Sequence, residues 1–214
     1  GDGWQLDRAS QAVADRLGMA APVIVAPWNA GLARGMEYAP ESALRADPAF
    51  LAGFQQYFKV DQAPFGNTYA DWCANELLPW AAELAGIELR RERTAVIGSS
   101  MGGLASLAAL ARHPETYESA LCLSTHWPPG GTGFVEYLLE SLPRPGAHRI
   151  WFDRGDRGLD ATYGPFQDLA DRRMVELGWS GRFSSHLYPG ADHTESDWAD
   201  RVEQVLEFWL AGLA

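Results

Sequence analysis

Short apolar runs alternate along this chain with longer stretches whose apolar positions recur at helical spacing. The first pattern belongs to strands buried on both faces, the second to helices with one apolar side. Strands are predicted at Pro22–Trp28, Thr94–Gly98, Ser119–Ser124, Arg149–Asp153 and Arg182–Tyr188. Helices are predicted at Leu6–Leu17, Tyr69–Leu84, Met101–Arg112, Gly133–Leu142, Pro165–Leu177 and Glu195–Leu213. That order reads as an α/β fold, a mostly parallel sheet flanked by helices. Asn29–Pro64 and the Pro- and Gly-rich stretch Thr125–Gly133 are expected to be irregular, and such loops on a rigid sheet are where binding surfaces are built. No repeat, low-complexity run or linker divides the sequence, so residues 1–214 are read as a single domain.

Composition changes this picture only by exclusion. A hydrophobic fraction of 47% and a charged fraction of 21% are ordinary for a globular protein. No apolar run approaches the roughly 18–20 residues of a membrane span. A net charge of −11 repels phosphate backbones, and the densest basic cluster, Arg90, Arg91 and Arg93, is interrupted by Glu92 and reads as a solvated turn. Neither nucleic acid nor membrane is therefore an expected partner. Cys73 and Cys122 have no metal-ligand spacing and are expected to be free, buried thiols.

The chemistry begins at Thr94-Ala95-Val96-Ile97-Gly98-Ser99-Ser100-Met101-Gly102-Gly103-Leu104. Here Gly98-x-Ser100-x-Gly102 follows an apolar strand and opens a helical pattern, the context of a nucleophile elbow in an α/β-hydrolase. The serine must sit on a tight strand-to-helix turn that lifts its hydroxyl clear of the sheet, and glycines at both offsets keep Cβ atoms out of that turn. Ser99 lacks glycines at both offsets, so Ser100 is the candidate nucleophile. The Met101 N–H then points at a developing oxyanion, reinforced by the helix start.

A serine hydroxyl needs an adjacent base. In this class the histidine lies after the last strand, and only His193 fits: it follows Arg182–Tyr188 and precedes the final helix. His186 lies inside that strand, His113 at a helix end beside Pro114, and His148 at the start of a strand. His126, in Ser124-Thr125-His126-Trp127, stands where a pocket should form and is a candidate for lining the substrate site. The acid should come from the loop after Arg149–Asp153, where Asp153, Asp156 and Asp160 all qualify by position. Asp160 is the first choice and Asp156 the alternative acid.

These segments resemble the esterase family that includes enterochelin (iron-siderophore) esterases, feruloyl esterase domains and the esterase D group, with the enterochelin-esterase-like members most similar. The resemblance runs through Trp28-Asn29, Glu37-Tyr38-Ala39-Pro40, Glu76-Leu77-Leu78-Pro79, the Gly98–Leu104 block and Leu123–Trp127. It continues through Phe152-Asp153-x-Gly155, Leu159-Asp160-Ala161-x-Tyr163 and Pro189-Gly190-Ala191-Asp192-His193-x-Glu195-x-x-Trp198. It implies Ser100 and His193 as catalytic residues. Relatives often carry Gly-Thr-Glu-Thr-Leu-Asp where this chain has Arg157 in place of the Glu; Asp160 keeps its Leu-Asp-Ala context. Some siderophore esterases are thought to work with Ser and His alone, so a dyad is the other arrangement the resemblance allows.

The family also implies strands ahead of residue 1, one of them between the Pro22–Trp28 and Thr94–Gly98 strands, and residues 1–21 hold no candidate for it. The sheet is thus expected to lack N-terminal strands and the chain to be N-terminally incomplete. The loop after that strand usually supplies the second oxyanion donor. Asp2-Gly3-Trp4 is read as its equivalent here, which makes Gly3 and Trp4 candidate oxyanion residues. Trp28, Tyr38 and Trp127, with His126, are candidates for an aromatic substrate pocket. The reading is a serine carboxylic-ester hydrolase acting on a small-molecule ester through an acyl-enzyme, with no metal and no organic cofactor. Rival readings are an acyltransferase with the same triad, a peptidase of the same fold, and an inactive binding scaffold.

Overall fold

Four strands pair in sequential order, all parallel: β1 (Ala95–Ser99), β2 (Ser119–Leu123), β3 (Arg149–Arg154) and β4 (Phe183–Leu187). They belong to a computed structural model that describes residues 3–213. Each crossover carries a helix, as parallel pairing requires: α7 (Met101–Arg112) links β1 to β2, α8 (Gly131–Glu140) β2 to β3, and α9 (Gly164–Glu176) β3 to β4. Ahead of the sheet run α1 (Leu6–Leu17), α2 (Arg34–Glu37), α3 (Glu41–Ala46), α4 (Pro48–Phe58), α5 (Gly66–Trp72) and α6 (Leu78–Ala85), with a π-helical turn, Cys73–Leu77, joining the last two. After it comes α10 (Glu195–Leu210).

Strand alternation sorts the apolar side chains into two layers. Ala120, Cys122, Ile150 and Phe152 face a core built with α3–α5 and α7–α9, whereas Leu121, Leu123 and Trp151 face α1 and α10. Helix ends follow local chemistry. Asp47 caps α4 by accepting from the Ala49 N–H at 2.8 Å with Pro48 at the first position, and Thr194 caps α10 by accepting from the Asp197 N–H. Gly18 closes α1 at φ +66°, sending its N–H back to Ala14 and Asp15.

Two expectations are corrected. The stretch at Asn29–Pro64 is not irregular, because α2, α3 and α4 occupy most of it. Nor is Pro22–Trp28 a strand: it has no regular structure and pairs with no strand among the described residues. Pro22 and Pro27 have no N–H to give a ladder, and a groove of about 420 Å³ separates the segment from β1. Pro22–Pro27 and β1 line this groove, with Leu206 and Trp209 on one face and Ala105 and Ala109 on the other. Among the described residues β1 therefore has an open edge, whereas β2 is buried along its whole length.

Candidate active site

Ser100 occupies the turn between β1 and α7 at φ 55° and ψ −121°, far from the ordinary basins of a non-glycine residue. The turn is held from below: the Ser100 N–H donates to the Leu123 carbonyl at 2.9 Å, and the Ser100 carbonyl accepts from the Gly103 N–H at 3.0 Å and the His126 N–H at 3.2 Å. Met101, at the first position of α7, and Gly102 have no backbone acceptor among the described residues, which leaves two N–H groups at a positive helix end beside the serine.

The loops after β3 and β4 are laced together. The Ala191 carbonyl accepts from the Asp156 and Arg157 N–H groups at 3.1 and 3.0 Å, and the Gly190 N–H donates to Asp156 Oδ1 at 2.7 Å. Asp156 is thereby engaged with the turn backbone. Asp160 reaches His193 instead: its Oδ1 lies 2.6 Å from His193 Nδ1. Asp160 is fully buried, and its Oδ2 accepts from the Ser124 hydroxyl and the Gly155 N–H, both at 2.6 Å. Burial pushes its carboxyl up, but the bonds from His193, Ser124 and Gly155 outweigh that and leave it below the ordinary carboxylate value. Asp153 is also fully buried but pairs with Arg201 at 2.8 Å; burial, the largest effect, leaves its carboxyl above the ordinary value.

An aromatic cage surrounds His193. Trp198 meets its ring edge-on at 4.9 Å, Tyr163 at 5.6 Å and 84°, and the His126 ring lies 6.4 Å away. The Tyr163 hydroxyl is bonded to His126 Nδ1, and the Ser100 side chain lies near it. Burial, with His193 and Arg34 nearby, pushes His126 down to about 4, so its ring is neutral near neutral pH. Tyr57 and Phe58, from the end of α4, pack against His126 at 5.2 and 5.9 Å. Nothing in the sequence marked these two, because their helix lies in a stretch expected to be irregular. Tyr163 stands within the family-like Leu159–Tyr163 block and drew no role; its signal was an unexplained tyrosine three residues after Asp160.

The other candidates fall elsewhere. Trp127 is fully buried, donates to Gln167 at 3.0 Å and packs on Phe152 as part of the core. Trp28 is 93% exposed at the end of the unpaired segment. Tyr38 lines the groove along β1 beside Tyr69. Gly3 lies against Glu195, and Trp4 bonds the Glu195 carboxylate with its ring 6.0 Å from Trp198. The N-terminal segment is thus seated against the start of α10. Cys73 is half-buried, Cys122 buried, and both are free thiols. No group of three His, Cys, Asp or Glu side chains among the described residues could hold a metal ion, and no described helix is long and apolar enough to cross a membrane.

Comparison with known proteins gives this geometry a family. A family model described as "Putative esterase" matches residues 3–207. The enterobactin esterase FES from Shigella flexneri, in the presence of 2,3-di-hydroxy-N-benzoyl-glycine, superposes with a TM-score of 0.58 at 23% identity, over 68% of this chain and 39% of that one. The same enzyme in the presence of enterobactin gives 0.53 at 25% identity, over 68% and 38%. A ferulic acid esterase gives 0.51 at 16% identity, over 67% and 61%. No curated protein matches. This chain spans about two-fifths of the length of the Shigella structures. Its fold is of the α/β-hydrolase type, and with the model matched over nearly its whole length the chain belongs to that esterase family.

Proposed function

We propose that the chain is a serine carboxylic-ester hydrolase in which Ser100 is the nucleophile, His193 the general base and Asp160 the acid that orients it. The observation that carries this reading is the 2.6 Å bond from a fully buried carboxylate to His193 Nδ1, together with a serine held on a strained elbow. Bonding at Nδ1 fixes the tautomer whose Nε2 is free to take the Ser100 proton, and the anionic Asp160 stabilises the imidazolium that forms. The alkoxide attacks the ester carbonyl. The Met101 N–H, at the positive end of α7, and the Tyr163 hydroxyl beside Ser100 receive the negative charge that develops on oxygen. His193 then protonates the leaving alcohol, activates water against the acyl-enzyme and returns the proton to Ser100.

The side chains crowding this site are aromatic: Tyr57, Phe58, His126, Tyr163 and Trp198. They favour an ester with a planar, phenolic ring over an extended aliphatic one. The structural neighbours, esterases of enterobactin and ferulic acid, point the same way.

The test is covalent labelling by a fluorophosphonate, with the modified residue located by mass spectrometry and p-nitrophenyl acetate as substrate. Labelling at Ser100, absent in Ser100→Ala and in His193→Ala and slowed in Asp160→Asn, is the expected result. Folded protein that neither labels nor hydrolyses would overturn the reading.

A further inference from the structure

Behind Asp160 lies a buried polar chain that the proposed reaction does not itself use. Ser124, just beyond β2, is fully buried and sits at φ 42°, a left-handed conformation uncommon for serine. Its hydroxyl makes three bonds: it donates to Asp160 Oδ2 at 2.6 Å and accepts from Trp198 Nε1 at 3.0 Å and from Arg201 Nη2 at 2.8 Å. A serine hydroxyl has one proton and two lone pairs. The indole and guanidinium groups are donors only, so they take both lone pairs and leave the single proton one place to go, the Asp160 carboxylate. The hydroxyl cannot rotate away without breaking a bond.

Arg201 is 2% exposed and projects from α10 into the interior. The same Nη2 that holds Ser124 also donates to Asp153 Oδ1 at 2.8 Å, and Asp153 Oδ2 accepts from Trp151 Nε1 at 2.8 Å. Arg201 Nε and Nη1 have no partner among the described residues. A purely structural ion pair would be expected to satisfy more of so deeply buried a guanidinium. What this one does achieve is to direct a hydroxyl.

We infer that Ser124 and Arg201 are positioning residues for Asp160: Arg201, anchored by Asp153, fixes the Ser124 hydroxyl so that it orients the Asp160 carboxylate and draws off part of its charge. This rests on the reading of Asp160 as partner of His193 in the proposed hydrolase. The charged and titratable groups around Asp160 are His193, His126 and Tyr163; those around Arg201 are Asp153 and Tyr188, whose ring lies under the guanidinium at 5.0 Å.

The sign of the effect follows. Without the Ser124 bond the Asp160 carboxylate is more basic, holds the imidazolium of His193 more tightly and raises the pH at which that ring titrates. The test is the His193 imidazole titration followed by NMR, which needs no turnover. In Ser124→Ala, and in Ser124→Gly, where glycine takes the positive φ without strain, the midpoint should rise by about 0.5–1 pH unit. Arg201→Lys, which keeps the charge, should stay within about 0.3 of wild type, whereas Arg201→Met should shift like the serine variants. In an Asp160→Ala background, Ser124→Gly should shift nothing, because the path to His193 is gone. With a substrate in hand, the serine variants should lose about 10-fold in kcat with little change in KM.

An unmoved His193 titration in folded Ser124→Gly would overturn the inference, as would an equal shift with and without Asp160. Failure of Ser100 to label, with the His193 shift present, would count against the proposed hydrolase and leave this relay standing.

Discussion

Gly98 lies directly beneath the backbone of Gly102, where an added Cβ would stand 2.5 Å from the Gly102 carbonyl oxygen and 2.6 Å from its carbonyl carbon. A Cβ on Gly102 itself would meet nothing within 4 Å. The two glycines of the elbow are therefore unequal: the strand glycine permits the close approach, and the helix glycine is tolerant. Gly98→Ala drives a methyl into main chain that cannot rotate aside, at a cost of about 1–3 kcal/mol or more, and displaces Ser100. Gly102→Ala should leave stability unchanged or raise it by up to about 1 kcal/mol, since alanine is the better helix former. Thermal melts and fluorophosphonate labelling of both variants check this; equal damage from the two would contradict it.

His126 makes the fold sensitive to mild acid. Its folded pKa is pushed from 6.5 to about 4, chiefly by burial, so between those values the unfolded chain takes up a proton that the folded chain refuses. The stability that His126 lends is fully present above pH 6.5 and declines as pH falls towards 4. By pH 5 the loss is about 2 kcal/mol. Asp160, held below the ordinary carboxylate value, gives up its own contribution only at still lower pH. Urea unfolding at pH 7.5 and pH 5 should show the difference, and His126→Gln should remove most of it.

The open edge of β1 is expected to show in hydrogen exchange. The Ser100 N–H and the Thr94 carbonyl both bond towards β2, so Val96 and Gly98, in phase with them, also turn their backbone groups that way. Ala95, Ile97 and Ser99 turn theirs towards the groove, where no backbone partner waits among the described residues. Their amides should exchange at least about tenfold faster than those of Val96 and Gly98 in the same strand. Uniform protection along β1 would mean that the groove is filled in solution.

How much of this was legible in the sequence depended on whether a residue's partner was local. Met101–Arg112 was predicted with the ends it has, because its signals, the elbow before it and Pro114 after it, are adjacent in the chain. Asp160 was singled out from three aspartates, and the structure brings it, not Asp156 or Asp153, to His193. Pro22–Trp28 has a strand's composition, but a strand exists only by pairing, and the sequence could not show that β1 stands across a groove from it. Residues 29–64 hid three helices because each is short, yet Asp47-Pro48 is a cap followed by a first-turn proline and could have been read. Trp127 was aromatic and near the site in sequence, but its side chain is buried in the core, where its indole donates to Gln167. Ser124 and Arg201 meet across 77 positions, and no spacing rule reaches that far.

Tyr163 separates a structural from a chemical role at the site. Its hydroxyl is bonded to His126 and lies near the Ser100 side chain, and burial holds its pKa above the ordinary phenol value, so it remains a donor at any working pH. Tyr163→Phe removes one oxygen and keeps the ring that packs edge-on against His193. If the phenol stabilises the oxyanion, kcat should fall by about 10–100-fold with KM nearly unchanged, the signature of a bond made in the transition state. The initial rate of fluorophosphonate labelling should fall in parallel, because phosphonylation passes through a comparable charged oxygen. If the phenol only buttressed His126, Tyr163→Phe would cost nothing further in a His126→Gln background. As an oxyanion donor it should still slow that variant, and His126→Gln alone should lose less than Tyr163→Phe.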